Sequence, residues 1–322
     1  MSRPVFDSND PLDRRYEFVL LYDITNGNPN GDPDADNAPR VDPETGHGIV
    51  TDVCIKRKIR NYVTLTRGLK PPDNIYVKER GILANEQREA YKANNIEPEN
   101  RPNETARRWM CENYFDIRTF GAVMTTGKAE AESDDEARKG RRGRGETKLW
   151  NCGQVRGPVQ LSFGRSIDPI LAIGHTITRV ALTNATDSGQ TAVLSEGGDE
   201  KAASGQMGRK YAVPYALYRT HGFISPFLGE ETGFKKRDLG ILLEALEHLF
   251  DLDRSASRGE MEVRGLYLFE HSKKLGDAPA HRLFEKVVIP PVKTPRVFSD
   301  YTFTPPEDGT EIVPGVSVWR YV

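Results

Sequence analysis

Alternation of apolar and polar positions first becomes regular at Tyr16 to Tyr22, where Tyr16, Phe18, Leu20 and Tyr22 share one face and Val19 and Leu21 load the other. Successive side chains of a strand point to opposite faces, so this spacing predicts a strand over 16–24 that is at least partly buried on both sides. The turn formers Asn26-Gly-Asn-Pro-Asn-Gly-Asp-Pro follow and can continue neither strand nor helix, which predicts a long shaped loop. Behind Asp52, a residue able to cap, Ile55, Ile59, Tyr62 and Val63 recur at helical spacing. They predict a helix over 52–66 with one apolar face and Lys56, Arg57, Lys58 and Arg60 around the rest. Residues 70–115 read as an inserted subdomain, with Pro71-Pro72, a polar helical stretch near Asn85 to Asn94, and a second from Glu104 to Phe115 holding Trp109, Met110 and Tyr114.

Strands are predicted over 117–125 and 155–163, the second interrupted by Gly157-Pro158, which favours an edge or a bulge there. Between Ser166 and Thr220, a short strand at Ile177 to Leu182 and the alternation of Tyr211, Val213, Tyr215 and Leu217 flank a Gly-, Ser- and Asp-rich stretch; a projecting hairpin-like arm is expected. Leu239, Leu242, Leu243, Leu246, Leu249 and Phe250 give the clearest helical periodicity in the chain, over 237–250, and read as core packing. A strand follows at 261–269, then a proline-rich tail that closes with Val316 to Val322. With the insertions set aside the order is βαββαβ. That order predicts an α+β fold, a ferredoxin-like or RRM-like antiparallel sheet with two helices on one face, which several RNA-binding modules use. Fold alone assigns no function, so the sites must.

Composition narrows the chemistry. A chain of 322 residues suffices for one large or two small domains and a sizeable core. Cys54, Cys111 and Cys152 are scattered and odd in number, which argues against a disulfide framework and against a zinc site of paired cysteines. The first residues, MSRPVFDSNDPLDRRYEF, lack a signal-peptide apolar stretch, so a soluble cytoplasmic protein with no membrane role is expected. Forty-five lysines and arginines against 47 acids give a formal charge of −2, which does not advertise a polyanion partner. The distribution says more: five acids fall within 130–136 and six bases within 138–148, a pattern read as a mobile solvated loop. No Gly-x-x-x-x-Gly-Lys-Ser/Thr loop, dinucleotide fingerprint, H-E-x-x-H pair or G-x-S-x-G elbow occurs, so nucleotide hydrolysis and the familiar hydrolase motifs have no support.

What remains is a set of candidate polyanion contacts. Asn26, Asn28 and Asn30 offer amides, and Gly27 and Gly31 let backbone N–H groups approach a phosphate or sugar, although a solvated turn explains the loop equally well. Asp32, Asp34 and Asp36 mimic a calcium loop, but Asn37 and Pro43 stand where its glycine and glutamate are required. Lys56, Arg57 and Arg60 start just beyond the Asn/Gly loop, so helix terminus, cations and loop can converge on one polyanion. Phe120-Gly121, Arg156 through Gln160, and Met207-Gly208-Arg209-Lys210 each join backbone freedom to a cation, an amide or a stackable side chain, with strand packing as the other fate of Phe120.

Those segments, Asn26 to Pro33, Asp52 to Arg60, Asp116 to Val123, Arg156 to Gln160 through Ser166 to Pro169, and Met207 to Tyr211 through His221 to Phe223, taken in this order, resemble the backbone subunit of the type I-C Cascade complex, a member of the RAMP superfamily of CRISPR-associated proteins. The resemblance covers nearly the whole chain. It implies a hand-shaped subunit: palm at 1–69, fingers insertion at 70–115, palm strands at 116–165 with a flexible charged loop at 126–150, thumb hairpin at 166–208, and palm with C-terminal segment at 209–322. Several copies would line up head to tail along one CRISPR RNA and present its bases to target DNA, so that base pairing reads sequence and the protein supplies backbone contacts. RNA contacts are then expected at Asn26, Asn28, Asn30, Gly31, Lys56, Arg57, Arg60, Phe120, Gly121, Arg156, Gln160, Met207, Arg209 and Lys210. Implied partners are the CRISPR RNA, the target DNA paired to it, further copies of the chain, a guide-processing or handle-capping subunit, large and small subunits, and a recruited helicase-nuclease. No catalytic residue, cofactor or metal is expected. The rival reading is a RAMP-family endoribonuclease using Asp32, Asp34, Asp36 or Asp52, and a third is a general single-strand RNA chaperone.

Overall fold

The computed structural model describes residues 3–125, 149–179 and 206–322. The charged blocks at 130–136 and 138–148 and the end of the strand expected at 177–182 lie outside them. In chain order the described elements are β1 (Tyr16–Gly27), β2 (Gly31–Asp32), β3 (Ala38–Pro39), β4 (His47–Val50), α1 (Asp52–Arg67), α2 (Leu83–Ala93), α3 (Glu104–Asn113), α4 (Phe115–Phe120), β5 (Gly121–Met124) and β6 (Gly153–Arg156). They continue with β7 (Val159–Leu161), β8 (Gly164–Pro169), β9 (Ile173–Arg179), β10 (Gln206–Ile224), α5 (Pro226–Thr232), α6 (Lys236–Glu247), β11 (Glu260–His271), α7 (Ala280–Phe284), β12 (Thr310–Val313) and β13 (Val316–Arg320).

Nine of these strands form one antiparallel sheet, ordered β12-β13-β11-β1-β10-β8-β4, with β7 and β9 also paired to β10. β1 lies at its centre, and its pattern explains why. Phe18, Leu20, Tyr22 and Ile24 enter the core beneath α1 and α6, whereas Val19 and Leu21 enter a second core closed by Leu283, Phe284, Val287 and Tyr301 of the C-terminal segment. Burial on both faces suits a strand with apolar residues at every position. Leu239, Leu242, Leu243 and Leu246 of α6 are 0–1% exposed, and each contributes roughly 1.5–3 kcal/mol through burial.

The structure corrects several expectations. The cap of α1 is Thr51, whose Oγ1 accepts from Cys54 N–H at 3.3 Å; Asp52 occupies the first turn instead, where its charge complements the helix dipole, and pairs with Lys56 at 3.0 Å. The strand expected over 117–125 is a short helix, α4, followed by four residues of strand. All six residues of α4 are buried, so its apolar content carries no periodicity from which to tell helix from strand. The strand expected over 155–163 is divided at Gly157-Pro158: β6 pairs with β5 in a separate ribbon, and β7 joins the edge of the large sheet against β10. The central partner of β1 is therefore β10, from Gly27↔Val213 to Tyr16↔Ile224, while residues 121–124 take no part in the large sheet. β9 starts earlier than expected, at Ile173, and pairs with 206–212 of β10. One strand thus serves first the arm and then the sheet.

Residues of α2, α3, α4, β5 and β6 close a third core, with Tyr76, Tyr91, Met110, Tyr114 and Cys152 inside. Charge fastens this unit to α6. Arg118 donates to both carboxylate oxygens of Asp238, at 3.0 and 2.8 Å, and to the carbonyls of Pro72 and Cys111, while Arg237 donates to Asp73 at 2.9 Å. Arg118, Asp238 and Asp73 are all buried, and planar bidentate geometry is what makes such a pair tolerable away from water. No helix among the described residues is long and apolar enough to cross a membrane.

Candidate nucleic-acid interface

The Asn/Gly loop turns tightly against the start of α1. Asn30 Oδ1 accepts from Thr51 N–H and Thr51 Oγ1, both at 3.0 Å, and the Cys54 thiol, whose pKa burial pushes up, donates to the Pro29 carbonyl at 3.7 Å. Loop and helix terminus are therefore joined, but through an amide that the sequence assigns to ligand. Asn28 is also turned inward: it is 6% exposed, and its Nδ2 donates to the Asn37 carbonyl at 2.7 Å. Gly31 has a packing role, since a Cβ there would lie 2.0 Å from Asn37 Oδ1. Asn26, at φ +50°, is the exposed amide of the three.

Lys56 and Arg60, one turn apart on α1, straddle the Phe120 ring at 5.6 and 5.3 Å from its centre. Phe120 is 7% exposed and so belongs to the core while its ring faces both cationic heads. Arg60 donates to Asp116 at 2.7 Å, and Asp116 also accepts from Tyr76 and Val77 N–H, which spends much of that guanidinium on structure. Arg57 lies apart from this pair, 67% exposed beside Glu79 at 3.7 Å.

Directly after Phe120 the chain reverses. Gly121 has φ +79°, and a Cβ there would meet the Val155 carbonyl at 2.3 Å; across the ribbon a Cβ on Gly157 would meet the Phe120 carbonyl carbon at 2.2 Å. Two glycines thus let the strands touch, and the register sets Gly121 opposite Arg156. Arg156 is exposed and has no ion pair among the described residues. Gln160 Nε2 donates to the Gly157 carbonyl at 3.1 Å, tightening the turn between β6 and β7. Lys56 and Arg60 thus meet Phe120, and the turn that follows it brings Gly121 opposite Arg156 with Gln160 across the β6–β7 turn, whereas Arg57 and the amides of the Asn/Gly loop lie outside this group.

The third group lies at the base of the arm. Arg209 is exposed on β10 opposite Thr176, with no ion pair among the described residues, and Met207 pairs with Thr178. Lys210 Nζ donates to the Ala256 carbonyl at 2.6 Å, and the neighbouring Ser257 carbonyl accepts from Asn28 N–H at 2.7 Å. The short loop 253–258 thus touches both the Asn/Gly loop and the arm, a role with no sequence signal beyond Ser255 to Gly259 being polar. Lys58, counted with the basic face in the sequence, is 4% exposed and paired with Asp253. Of the carboxylates considered for cleavage, Asp32 pairs with Arg40 at 3.3 Å and Asp52 with Lys56.

The fold is that of an α+β protein built on a large antiparallel sheet, with cations and close-approach glycines gathered where α1 faces the β5–β6 ribbon and further cations at the base of the arm. A family model described as CRISPR-associated protein Cas7 matches residues 14–305, and the chain belongs to that family. A curated relative from Haloferax volcanii, named CRISPR-associated protein Cas7, is 53% identical over 47 residues, which are 15% of this chain and 14% of that protein. The match thus spans about a seventh of the relative's length. Among solved structures, a chain of a "CRISPR RNA-guided surveillance complex, pre-nicking" is 9% identical over 82% of this chain and 79% of its own, with a TM-score of 0.45. A chain of another "CRISPR RNA-guided surveillance complex" is 14% identical over 81% of this chain and 71% of its own, with a TM-score of 0.39.

Proposed function

We propose that this chain is the non-catalytic backbone subunit of a type I-C Cascade surveillance complex, polymerising head to tail along a CRISPR RNA and presenting it to target DNA. The observation that carries the reading is the cluster of Lys56, Arg60, Phe120, Gly121, Arg156 and Gln160 in a chain of the Cas7 family. Such a group suits a ribose-phosphate chain, with cations for phosphates and glycines for close backbone approach. Type I-C is the finer part of the proposal and rests on the sequence segments from Asn26 to Phe223.

In this reading β1, α1, β7 with β8, β10, α6 and β11 make an RRM-like palm, residues 70–115 the fingers, and the β9–β10 arm the thumb. The sheet face that RRM modules use for stacking bases is covered here by Leu283, Phe284, Val287 and Tyr301, so the RNA path runs along the rim at α1 and the arm. The proposed partners are the guide, its paired target, further copies of the chain, the other Cascade subunits and the helicase-nuclease they recruit.

The test is guide-RNA affinity across a salt series for the intact chain and for Arg156→Ala/Arg209→Ala. Each lost phosphate contact reduces the slope of log K against log salt by roughly 0.7–1, and the loss is independent of guide sequence. An unchanged slope overturns the assignment of these arginines. Divalent-dependent shortening of the RNA that Asp52→Asn abolishes moves the reading to an endoribonuclease.

A further inference from the structure

Two of the groups assigned to RNA meet through a loop that makes no claim on RNA itself. Residues 253–258, between α6 and β11, form a tight turn in which Arg258 N–H donates to the Ser255 carbonyl at 2.9 Å. On one side the Ser257 carbonyl holds Asn28 N–H, and it sits so close that a Cβ on Gly27 would lie 2.8 Å from it. On the other side the Ala256 carbonyl holds Lys210, two residues before β10 leaves β9 at Ala212 and takes up β1 at Val213.

The turn is tied to α1 by charge. Asp253 Oδ2 accepts from Lys58 Nζ and from Arg258 Nε, the latter at 3.3 Å. Lys58 is 4% exposed, and burial pushes its ammonium pKa down while Asp253 opposes that shift. A lysine this enclosed cannot reach a phosphate, and removing water from it is costly unless a carboxylate is fixed beside it. The arrangement therefore does something other than bind a polyanion. It sets where the turn sits relative to α1.

We propose that Lys58, Asp253 and Arg258 are positioning residues that lock the turn 253–258, and through it fix the base of the arm relative to the Asn26–Gly31 loop. The inference rests on the RNA-binding reading for its purpose, since a fixed spacing between loop and arm defines the length of RNA each copy spans. Its mechanical part stands without RNA. Truncation of a direct phosphate contact weakens binding and lowers the salt slope, whereas loosening this lock leaves the slope alone and blurs the spacing.

The experiment uses the full chain with spin labels at Leu65 on α1 and Thr176 on β9, both exposed, and reads the distance between them without RNA. The intact chain should give one narrow distribution, and Asp253→Asn should lose it. Because that variant leaves the Lys58 charge buried, Lys58→Met/Asp253→Leu provides a second version that removes both charges. An unchanged distribution in both variants overturns the inference. With guide RNA bound in the assembled complex, the variants should lose periodic nuclease protection at an unchanged salt slope; a slope reduced by one contact makes Lys58 a phosphate ligand and also overturns it. Absence of protection in the intact chain counts against the RNA reading alone, and the label distances still decide the mechanical claim.

Discussion

A guanidinium already bound to a carboxylate has less to give a phosphate than one left in water. Arg60 is 12% exposed against Asp116, whereas Arg156 and Arg209 stand exposed, a difference in freedom that residue type alone does not reveal. Arg60→Ala should therefore act first on stability, by about 1.5–3 kcal/mol for a lost charged hydrogen bond, in denaturant titration; a wild-type midpoint together with weakened RNA binding would make it a direct contact. The amides tell the same story. Asn30 and Asn28 are legible as hydrogen-bonding residues, but nothing in the linear order says that Thr51 and Asn37 lie beside them. His221 is a residue the sequence leaves unexplained. Its ring stacks on Phe284 with centroids 4.1 Å apart and accepts from Arg219 Nε at 2.8 Å, and burial with the Arg219 charge pushes it down to about 4. An unfolded histidine titrates near 6.5, so between these values the unfolded chain binds the proton and the folded one does not. This group's contribution is present above about pH 6.5 and is lost as pH falls towards 4. His221→Phe should flatten that part of the stability profile, and an unaltered profile would refute the assignment.

Elements with an uninterrupted pattern were legible: β1, α1, α6 and β11 lie within a few residues of the spans their periodicity predicts. The failures share a cause. α4 is buried all round, and β10 draws its partners from far along the chain, so neither carries a local signature of its place in the fold. The Gly121–Gly157 contact belongs at this scale. Gly121→Ala puts a Cβ 2.3 Å from the Val155 carbonyl at a backbone angle unfavourable for alanine, and should cost more than about 2 kcal/mol and separate the β5–β6 ribbon. A melting temperature equal to the intact chain's would show that the ribbon is not held there. Arg118→Ala should destabilise by about 3–5 kcal/mol, because it leaves buried Asp238 only the Lys235 N–H and Arg237 at 3.9 Å in place of its bidentate partner. Loss of the fluorescence of Trp109 and Trp150, which pack against the third core, at lower denaturant than the main transition would place the damage at the junction with α6; coincident loss would show one cooperative unit.

For the whole molecule, a formal charge of −2 is compatible with the proposed role, in which a repeating subunit also pairs basic and acidic surfaces with its own copies. In the proposed assembly a heterologous contact of that kind would add copies until the guide ends. The most direct measurement is the mass and RNA content of the chain co-expressed with a CRISPR array and its partner subunits, followed by nuclease footprinting of the retained RNA. The account predicts a particle with several copies of this chain on one intact guide, protected at a regular interval. A monomer free of RNA, or one that holds only fragments, would contradict it.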